Sequence, residues 1–417
     1  MTETLPAPGR AAFAFVLVTV LLDMLALGVM IPVLPKLIVE FMGGDVAGAA
    51  TIAGLFGFSW AAMQFVFSPV LGALSDRFGR RPVIILSNLG MGLDYVMMAL
   101  APSLWWLFAG RLLSGITAAT FATAGAYIAD VTPAEKRAAK FGMLGAAFGF
   151  GFIVGPAMGG YLGAIDLRLP FWVAAGLSLA NALYGYFVLP ESLPNSRRAT
   201  FRWRLANPIG SLRFLRAQPL LAGLGGAVFL QRIAHDSLPS VFVLYTGYRY
   251  QWGAATVGLT LAAVGVAQTI VSAGLVGPIV KRFGERNALK VGLACGAIGF
   301  AVYALAPTGM FFFAGLPLLA LWGLSGPSIQ GLMSRHVGAS DQGKLQGALG
   351  SLQGVAGMIG PLLFTQVFAF ALRSDGILHL PGAPYMLAAV LVALALYVAM
   401  RTTRQRTVAA RTEQSNA

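Results

Sequence analysis

The sequence predicts an all-α membrane protein whose twelve transmembrane helices form two pseudo-symmetric six-helix halves. Three observations point there. Hydrophobic residues make up 57% of the 417 positions and charged residues 11%, against roughly 25% charged in water-soluble domains. So few charges cannot cover so much apolar surface in water, and lipid must cover it instead. Next, the segment Gly72-Ala-Leu-Ser-Asp-Arg-Phe-Gly-Arg-Arg81 returns 205 positions later as Gly277-Pro-Ile-Val-Lys-Arg-Phe-Gly-Glu-Arg286. The same offset relates Gly142 to Gly347 and Gly155-Pro156 to Gly360-Pro361. A register of half the chain length marks a tandem duplication, and duplicated helical bundles of this size are mostly transporters. The third observation is the distribution of basic residues, which fall 23 on one side of the membrane and 4 on the other.

A helix needs about 20 apolar residues to cross the hydrocarbon. Such stretches lie at 12–38, 49–73, 83–101, 104–129, 141–163 and 170–189, and then at 219–245, 254–279, 288–306, 310–333, 345–371 and 384–400. Basic loops separate them on one side. Arg77, Arg80 and Arg81 lie between spans 2 and 3, and Lys136, Arg137 and Lys140 between spans 4 and 5. Lys281, Arg282, Arg286 and Lys290 lie between spans 8 and 9, Arg335 and Lys344 between spans 10 and 11, and four arginines follow span 12. Trp105 and Trp106 mark the opposite end of span 4. The break at 190–218 holds six arginines and reads as a linker between an N-terminal half, 1–189, and a C-terminal half with its tail, 219–417.

The net charge of +14 suggests nucleic acid, but its distribution is that of the positive-inside bias. Both termini and the linker are therefore expected in the cytoplasm, and nucleic acid is not an expected partner. Positions 1–10 are too polar for a signal peptide and no small-residue cleavage site follows span 1, so that span is expected to stay. The one cysteine, Cys295, cannot form an intrachain disulfide.

Five features carry a mechanism. In the loop after span 2, Gly72 and Gly79 allow a tight turn. Asp76 can pair with Arg77, Arg80 and Arg81, or with the positive end of a facing helix. Such a latch holds one face shut and breaks each cycle. In span 5, Gly142, Gly151, Gly155, Pro156, Gly159 and Gly160 combine a kinking proline with glycines that let another helix approach closely. Arg111 lies one to two turns inside span 4, where a charge costs at least ~2.5 kcal/mol near the helix centre. Asp23 in span 1 and Asp94 in span 3 are lone carboxylates within apolar segments. Arg232, His235 and Asp236 cluster in span 7, with Arg232 one turn from Asp236, near a possible helix break at Leu238-Pro239. Carboxylates in such places are candidates to carry a proton in one state and release it in another.

No metal-ligand spacing, P-loop, nucleophile–base pair or dinucleotide fingerprint is present. His235, His336 and His379 are scattered. With no cofactor and no ATP-binding cassette, uphill work must come from an ion gradient, and the chain does not read as an enzyme.

The loop at 72–81 resembles the signature of the major facilitator superfamily, and the glycines of span 5 resemble the antiporter signature of its drug-exporting members. Leu22-Asp23 and Met30-Ile-Pro-Val-Leu-Pro35, Met63-Gln64, Leu93-Asp94-Tyr95, Gly110-Arg111-Leu-Leu-Ser-Gly-Ile-Thr117, Gly125-Ala-Tyr-Ile-Ala-Asp130, Gln346-Gly347 and Gly360-Pro-Leu-Leu-Phe364 extend the likeness. The chain is most similar to the twelve-helix drug:proton antiporters known as tetracycline efflux proteins. That resemblance implies the major facilitator fold and export of an amphipathic drug across a bacterial inner membrane in exchange for protons. It also implies activity as a monomer, and a tetracycline cargo would travel as a metal chelate. Asp130 joins the cytoplasmic gate, and Gln64, Gln268 and Gln330 are the polar candidates for the substrate cavity. The C-terminal half departs from the pattern. The exporters' span 8 histidine and span 9 aspartate, both implicated in coupling, correspond here to Gln268 and Gly296. A gradient-driven importer or facilitator of a small metabolite is the alternative, and the intact span 5 signature argues against it.

Overall fold

The structure, a computed structural model, describes residues 10–118, 120–194, 196, 198, 214–215, 219–338, 341–373 and 380–415. Most of the linker at 190–218, including Arg197, Arg202, Arg204, Arg213 and Arg216, lies outside them, as does His379. Among the described residues every regular element is helical.

Span 1 is two helices, α1 (Arg10–Met30) and α2 (Leu34–Phe41). Pro32 cannot donate to the carbonyl one turn back, and the chain tightens there, with Val33 N bonding Met30 O at 3.1 Å. Spans 2 and 3 are α3 (Val46–Phe78) and α4 (Arg80–Leu100), joined only at Gly79. Span 4 divides into α5 (Leu104–Thr117) and α6 (Thr120–Val131); spans 5 and 6 are α7 (Ala134–Ile165) and α8 (Leu169–Phe187). Span 7 is α9 (Pro219–Tyr250), which runs unbroken through Pro239, so no break occurs at Leu238-Pro239. Spans 8 and 9 comprise α10 (Ala254–Ile270), a π-helical turn (Val271–Leu275) and α11 (Val276–Leu305). At 52 residues this stretch would be about 78 Å long at 1.5 Å per residue, far more than one crossing requires. It bends at Gly284, whose φ of 75° and ψ of 158° are not helical. Span 10 is α12 (Gly309–Trp322) and α13 (Ser325–Ser334), span 11 is α14 (Gln342–Arg373), and span 12 is α15 (Ala383–Ser415). Nine helical stretches among the described residues are long and apolar enough to cross a membrane. The bend at Gly284 divides one of them, and α8 and α9 complete the twelve.

The chain clusters into two compact units. The first comprises Met1–Asp45, Ser59–Ala206 and Trp252–Gly265, and the second Val46–Phe58, Asn207–Gln251 and Val266–Ala417. Each unit also takes in the start of one helix from the other half of the sequence, and glycines explain both cases. In the second unit, a Cβ on Gly57 of α3 would sit 2.7 Å from Pro361 of α14. In the first, a Cβ on Gly258 of α10 would sit 2.9 Å from Gly160 Cα of α7. Both contacts exist because neither glycine has a side chain.

Within the first unit, α1 packs along α7 and α8, and α4 along α8 and α5. Phe13, Val16, Val20, Tyr127 and Ile128 form part of its apolar core. Within the second, α9 packs along α14 and α15, and α11 along α15 and α12. Its core is aromatic. The rings of Tyr303 and Phe312 stack at 3.6 Å between centroids, and Tyr245 meets Tyr385 edge-on at 5.0 Å. The Tyr245 hydroxyl donates to Tyr303 O at 3.0 Å.

Candidate gating and proton-coupling sites

The seam on α7 comes first. A Cβ on Gly151 would lie 2.5 Å from Met24 Cβ, and one on Gly155 would lie 2.7 Å from Gly28 Cα. A Cβ on Gly159 would meet the backbone of Val29, and one on Gly160 would lie 2.5 Å from Ala254 O. Three of these glycines therefore seat α1 and the fourth seats α10, backbone against backbone, around Pro156. Gly142 differs. A side chain there would meet no atom within 4 Å, so no close approach requires it.

The loop after α3 is built around Arg80. Its guanidinium lies 2.5 Å from Asp76 Oδ1 and 3.0 Å from Asp130 Oδ2, and it donates to Ser75 Oγ at 3.0 Å. The ends of α3, α4 and α6 thus meet at one buried arginine. Gly79 makes the turn alone, with φ at 107°, where only glycine is at ease. Gly72 lies inside the continuous helix α3 and serves no turn. Nor does Asp76 cap a facing helix. Glu191 does so instead: its Oε1 accepts from Arg80 N at 2.8 Å and its Oε2 from Arg81 N at 3.3 Å. A carboxylate at this N-terminus answers both the free N–H groups and the two arginines of the first turn. Ser192 adds a bond to Asp130 at 3.1 Å. Arg81 is held by the carbonyls of Gly185 and Tyr186, while Arg77 is exposed, over the ring of Phe78. Glu191 could not be found by spacing, because its partners are more than 100 residues away. The one visible signal was an acid between span 6 and a basic linker.

Deeper in the same unit, Asp23, Asp94 and Arg111 are all buried, at 3%, 0% and 6% exposure. Arg111 is no snorkelling residue. Trp105 and Trp106 at the end of α5 are exposed, while the Arg111 guanidinium lies 3.1 Å from Met30 Sδ and over the indole of Trp60. Among the described residues it has no carboxylate within 4.0 Å. The Asp94 carboxylate faces α5, where a Cβ on Gly110 would lie 2.5 Å from its Oδ1. Among the described residues neither Asp94 oxygen has a hydrogen-bond partner of good geometry, and the Ser114 side chain of α5 is beside the carboxylate. Asp23 has the Thr120 side chain of α6 beside it.

In the second unit, Asp236 is buried at 4% exposure. Its Oδ1 lies 3.5 Å from Arg232 Nη2 and 3.8 Å from His235 Nδ1. A Cβ on Gly360 would lie 2.5 Å from Asp236 Cβ, so the glycine opposite Asp236 makes its room. His235 is half exposed, with its ring 5.9 Å from that of Trp322. Trp322 also explains Gly296: a Cβ there would lie 2.7 Å from the indole, so the ring fills the place of a side chain at that position. The three glutamines are not brought together by any contact. Gln64 is partly buried on α3. Gln268 lies against Gly323. Gln330 bonds Gln346 at 3.3 Å. No group of three or more metal-binding side chains occurs among the described residues.

Twelve spans in a duplicated bundle, with a buried arginine gate and a glycine seam, define a membrane transporter. The family model of the Major Facilitator Superfamily matches residues 16–361, and the chain belongs to that superfamily. It is 41% identical over 373 residues to the class C tetracycline resistance protein of Escherichia coli, covering 89% of this chain and 93% of that protein. It is 40% identical over 363 residues to the class G tetracycline resistance protein of Vibrio anguillarum, covering 86% of this chain and 91% of that one. The crystal structure of the human organic anion transporter MFSD10 superposes with a TM-score of 0.69 at 24% identity, covering 95% of this chain and all of that one. At that identity the likeness speaks for the fold alone.

Proposed function

We propose that this protein is a proton-coupled antiporter that exports a tetracycline-like drug from the bacterial cytoplasm across the inner membrane by alternating access. The observation that carries this reading is the 41% identity spread over 93% of a tetracycline resistance protein, together with a glycine seam on α7 that packs backbone to backbone. The gradient supplies the energy. Tetracycline would enter as a divalent-metal chelate, which makes the metal cargo and not a resident cofactor. The protein works as a monomer with both termini and the basic loops in the cytoplasm. Gln64, Gln268 and Gln330 are the polar groups offered to the drug.

Protons are assigned to buried carboxylates. Asp23 and Asp94 serve the first unit, with the buried Arg111 as its fixed charge. With Gln268 and Gly296 unable to titrate usefully, Asp236 takes the role in the second unit. His235 and Arg232 are its neighbours. Arg80, with Asp76, Asp130 and Glu191, holds the cytoplasmic gate.

The test is tetracycline accumulation in cells with and without the gene, and in inverted membrane vesicles energised with a pH gradient. Export predicts lower cellular accumulation that an uncoupler restores, and gradient-driven uptake into inverted vesicles. Equal accumulation with and without the gene would remove the drug assignment. Gradient-dependent entry into cells would reverse the direction.

A further inference from the structure

Three charged gate residues of the first unit have counterparts of opposite charge 205 positions later. Asp76, Arg80 and Asp130 become Lys281, Glu285 and Arg335. Acid, base, acid becomes base, acid, base. Inversion at one position would be drift, but here the contact itself is kept. Arg80 Nε lies 3.0 Å from Asp130 Oδ2, and Arg335 Nη2 lies 3.0 Å from Glu285 Oε1. The preceding glycines also match, Gly79 at φ 107° and ψ 161° and Gly284 at φ 75° and ψ 158°.

The surroundings of Glu285 are built to hold it. A Cβ on Gly331 of α13 would lie 2.5 Å from Glu285 Oε1, so the carboxylate occupies space that any other residue would fill. Its side chain is 14% exposed although it stands in a loop region rich in lysine and arginine. The polarity has a local reason. The first turn after Gly79 carries Arg80 and Arg81 at a positive helix end, and Glu191 must compensate them. The position 205 residues after Glu191 is Leu396, which cannot. In the second unit Glu285 itself supplies the negative charge that a helix start favours. With its outer partner basic, as Arg335 is, the pair needs no third acid beside it. Lys281 stands where Asp76 does but is exposed and, among the described residues, makes no ion pair within 4.0 Å.

We propose that Glu285 and Arg335 are positioning residues of the transport cycle, a second gate pair that fastens α11 to the end of α13 and must loosen for the conformational step. The proposal rests on the reading of the chain as an exporter. Glu285→Gln and Arg335→Gln, each close to its parent in volume, are compared with the swap E285R/R335E, which installs the first unit's polarity. Two readouts separate the proposal from that reading: turnover and KM for magnesium-tetracycline uptake into inverted vesicles, and the rate at which N-ethylmaleimide labels Cys295, the native cysteine of α11, which needs no substrate. Glu285→Gln is expected to lower turnover about 10-fold and Arg335→Gln, whose side chain is 71% exposed, less than about 5-fold, each with KM within about 2-fold, as for a slowed conformational step. Each is also expected to change the Cys295 labelling rate at least about 3-fold, and the swap should recover at least about a third of both losses, as an ion pair does and a general folding defect does not. Wild-type turnover and labelling in both single variants would overturn the proposal, and so would a swap no better than the singles. A wild-type protein that ignores tetracycline would instead fault the drug assignment, with Cys295 labelling still deciding the gate.

Discussion

The two units share a register of 205 residues but not a core. The first buries carboxylates and hydroxyls without protein partners, among them both oxygens of Asp94, one of Asp23, and the hydroxyls of Thr19, Ser87 and Ser178. Each such group costs about 1–3 kcal/mol unless water or a proton satisfies it. The second buries an interlocked set of rings around Tyr245, Tyr303, Phe312 and Tyr385, with the Tyr245 and Tyr250 hydroxyls bonded to carbonyls and fewer unpartnered groups, Asp236 Oδ2 and the Tyr385 hydroxyl among them. One duplicated backbone has thus been given two interiors. The polar one can respond to hydration and protonation, and the aromatic one offers a stiff frame in which, among the described residues, Asp236 is the buried carboxylate. Coupling should therefore be concentrated in the first unit, and the experiments that follow rank effects on that basis.

The seam should show the largest effect. Gly155 of α7 meets the backbone of Gly28, which cannot step aside, whereas its counterpart Gly360 meets the side chain of Asp236. Gly155→Leu should reduce export about 100-fold or more, since overpacking of ~3 kcal/mol at 1.4 kcal/mol per decade gives that factor. Proton leak should accompany the loss. Gly142→Leu, with no atom within 4 Å of its new Cβ, should transport normally. Equal phenotypes for the two, measured as vesicle uptake and pH-gradient decay, would return the glycines to generic helix packing.

Asp23→Asn comes next. It keeps shape and removes the titratable group from a site 3% exposed. Export against a gradient should fall to the uncoupled level while protein abundance and drug equilibration persist. Asp94→Asn should behave alike but less completely, since Asp23 remains. Full gradient-driven transport by the Asp23 variant would move the proton elsewhere.

The gate should rank third. Arg80→Gln severs bonds to Asp76, Asp130 and Ser75 together, and turnover should drop about 10-fold with little change in KM. Asp76→Asn should cost less, below about 5-fold, because its side chain is 49% exposed and exposed pairs contribute only ~0–1 kcal/mol. A collapse of affinity with intact turnover would remove the gate assignment.

The twelve spans and the duplication were legible because hydropathy and a fixed offset are properties of sequence alone. The break after Met30 had a visible cause in Pro32. The break after Thr117 had none, and Pro239, which looked like one, is carried within an unbroken run of helix. Asp23, Arg111 and the α7 glycines announced themselves as costly or unusual residues in apolar surroundings. Glu191 stayed hidden because its role depends on a contact across 111 residues. Arg335 did too, because it becomes the partner of Glu285 only when α13 is folded against α11. Gly72 and Gly142 show the opposite error: both match a motif's spacing, yet the structure gives neither a close neighbour.

Span 7 should give the smallest and most informative effect. Asp236 and His235 are adjacent in sequence but not in environment, since the Asp236 side chain is 6% exposed and that of His235 is 49%. A half-exposed histidine 3.8 Å from the carboxylate can tune it but need not carry the proton itself. Asp236→Asn is therefore expected to flatten the pH dependence of export and lower the drug gradient reached at steady state, by about 3-fold to 10-fold. His235→Gln should leave the profile and the gradient close to wild type, as loss of one half-exposed, screened neighbour would. Arg232→Gln, which removes the 3.5 Å partner, should fall between them. The measurement is uptake into inverted vesicles across pH 6 to 8.5 at fixed gradient. If His235→Gln proves the more damaging, the proton resides on the imidazole and Asp236 only orients it. If neither variant changes the profile, the second unit is a passive frame, and coupling belongs to Asp23, Asp94 and Arg111 alone.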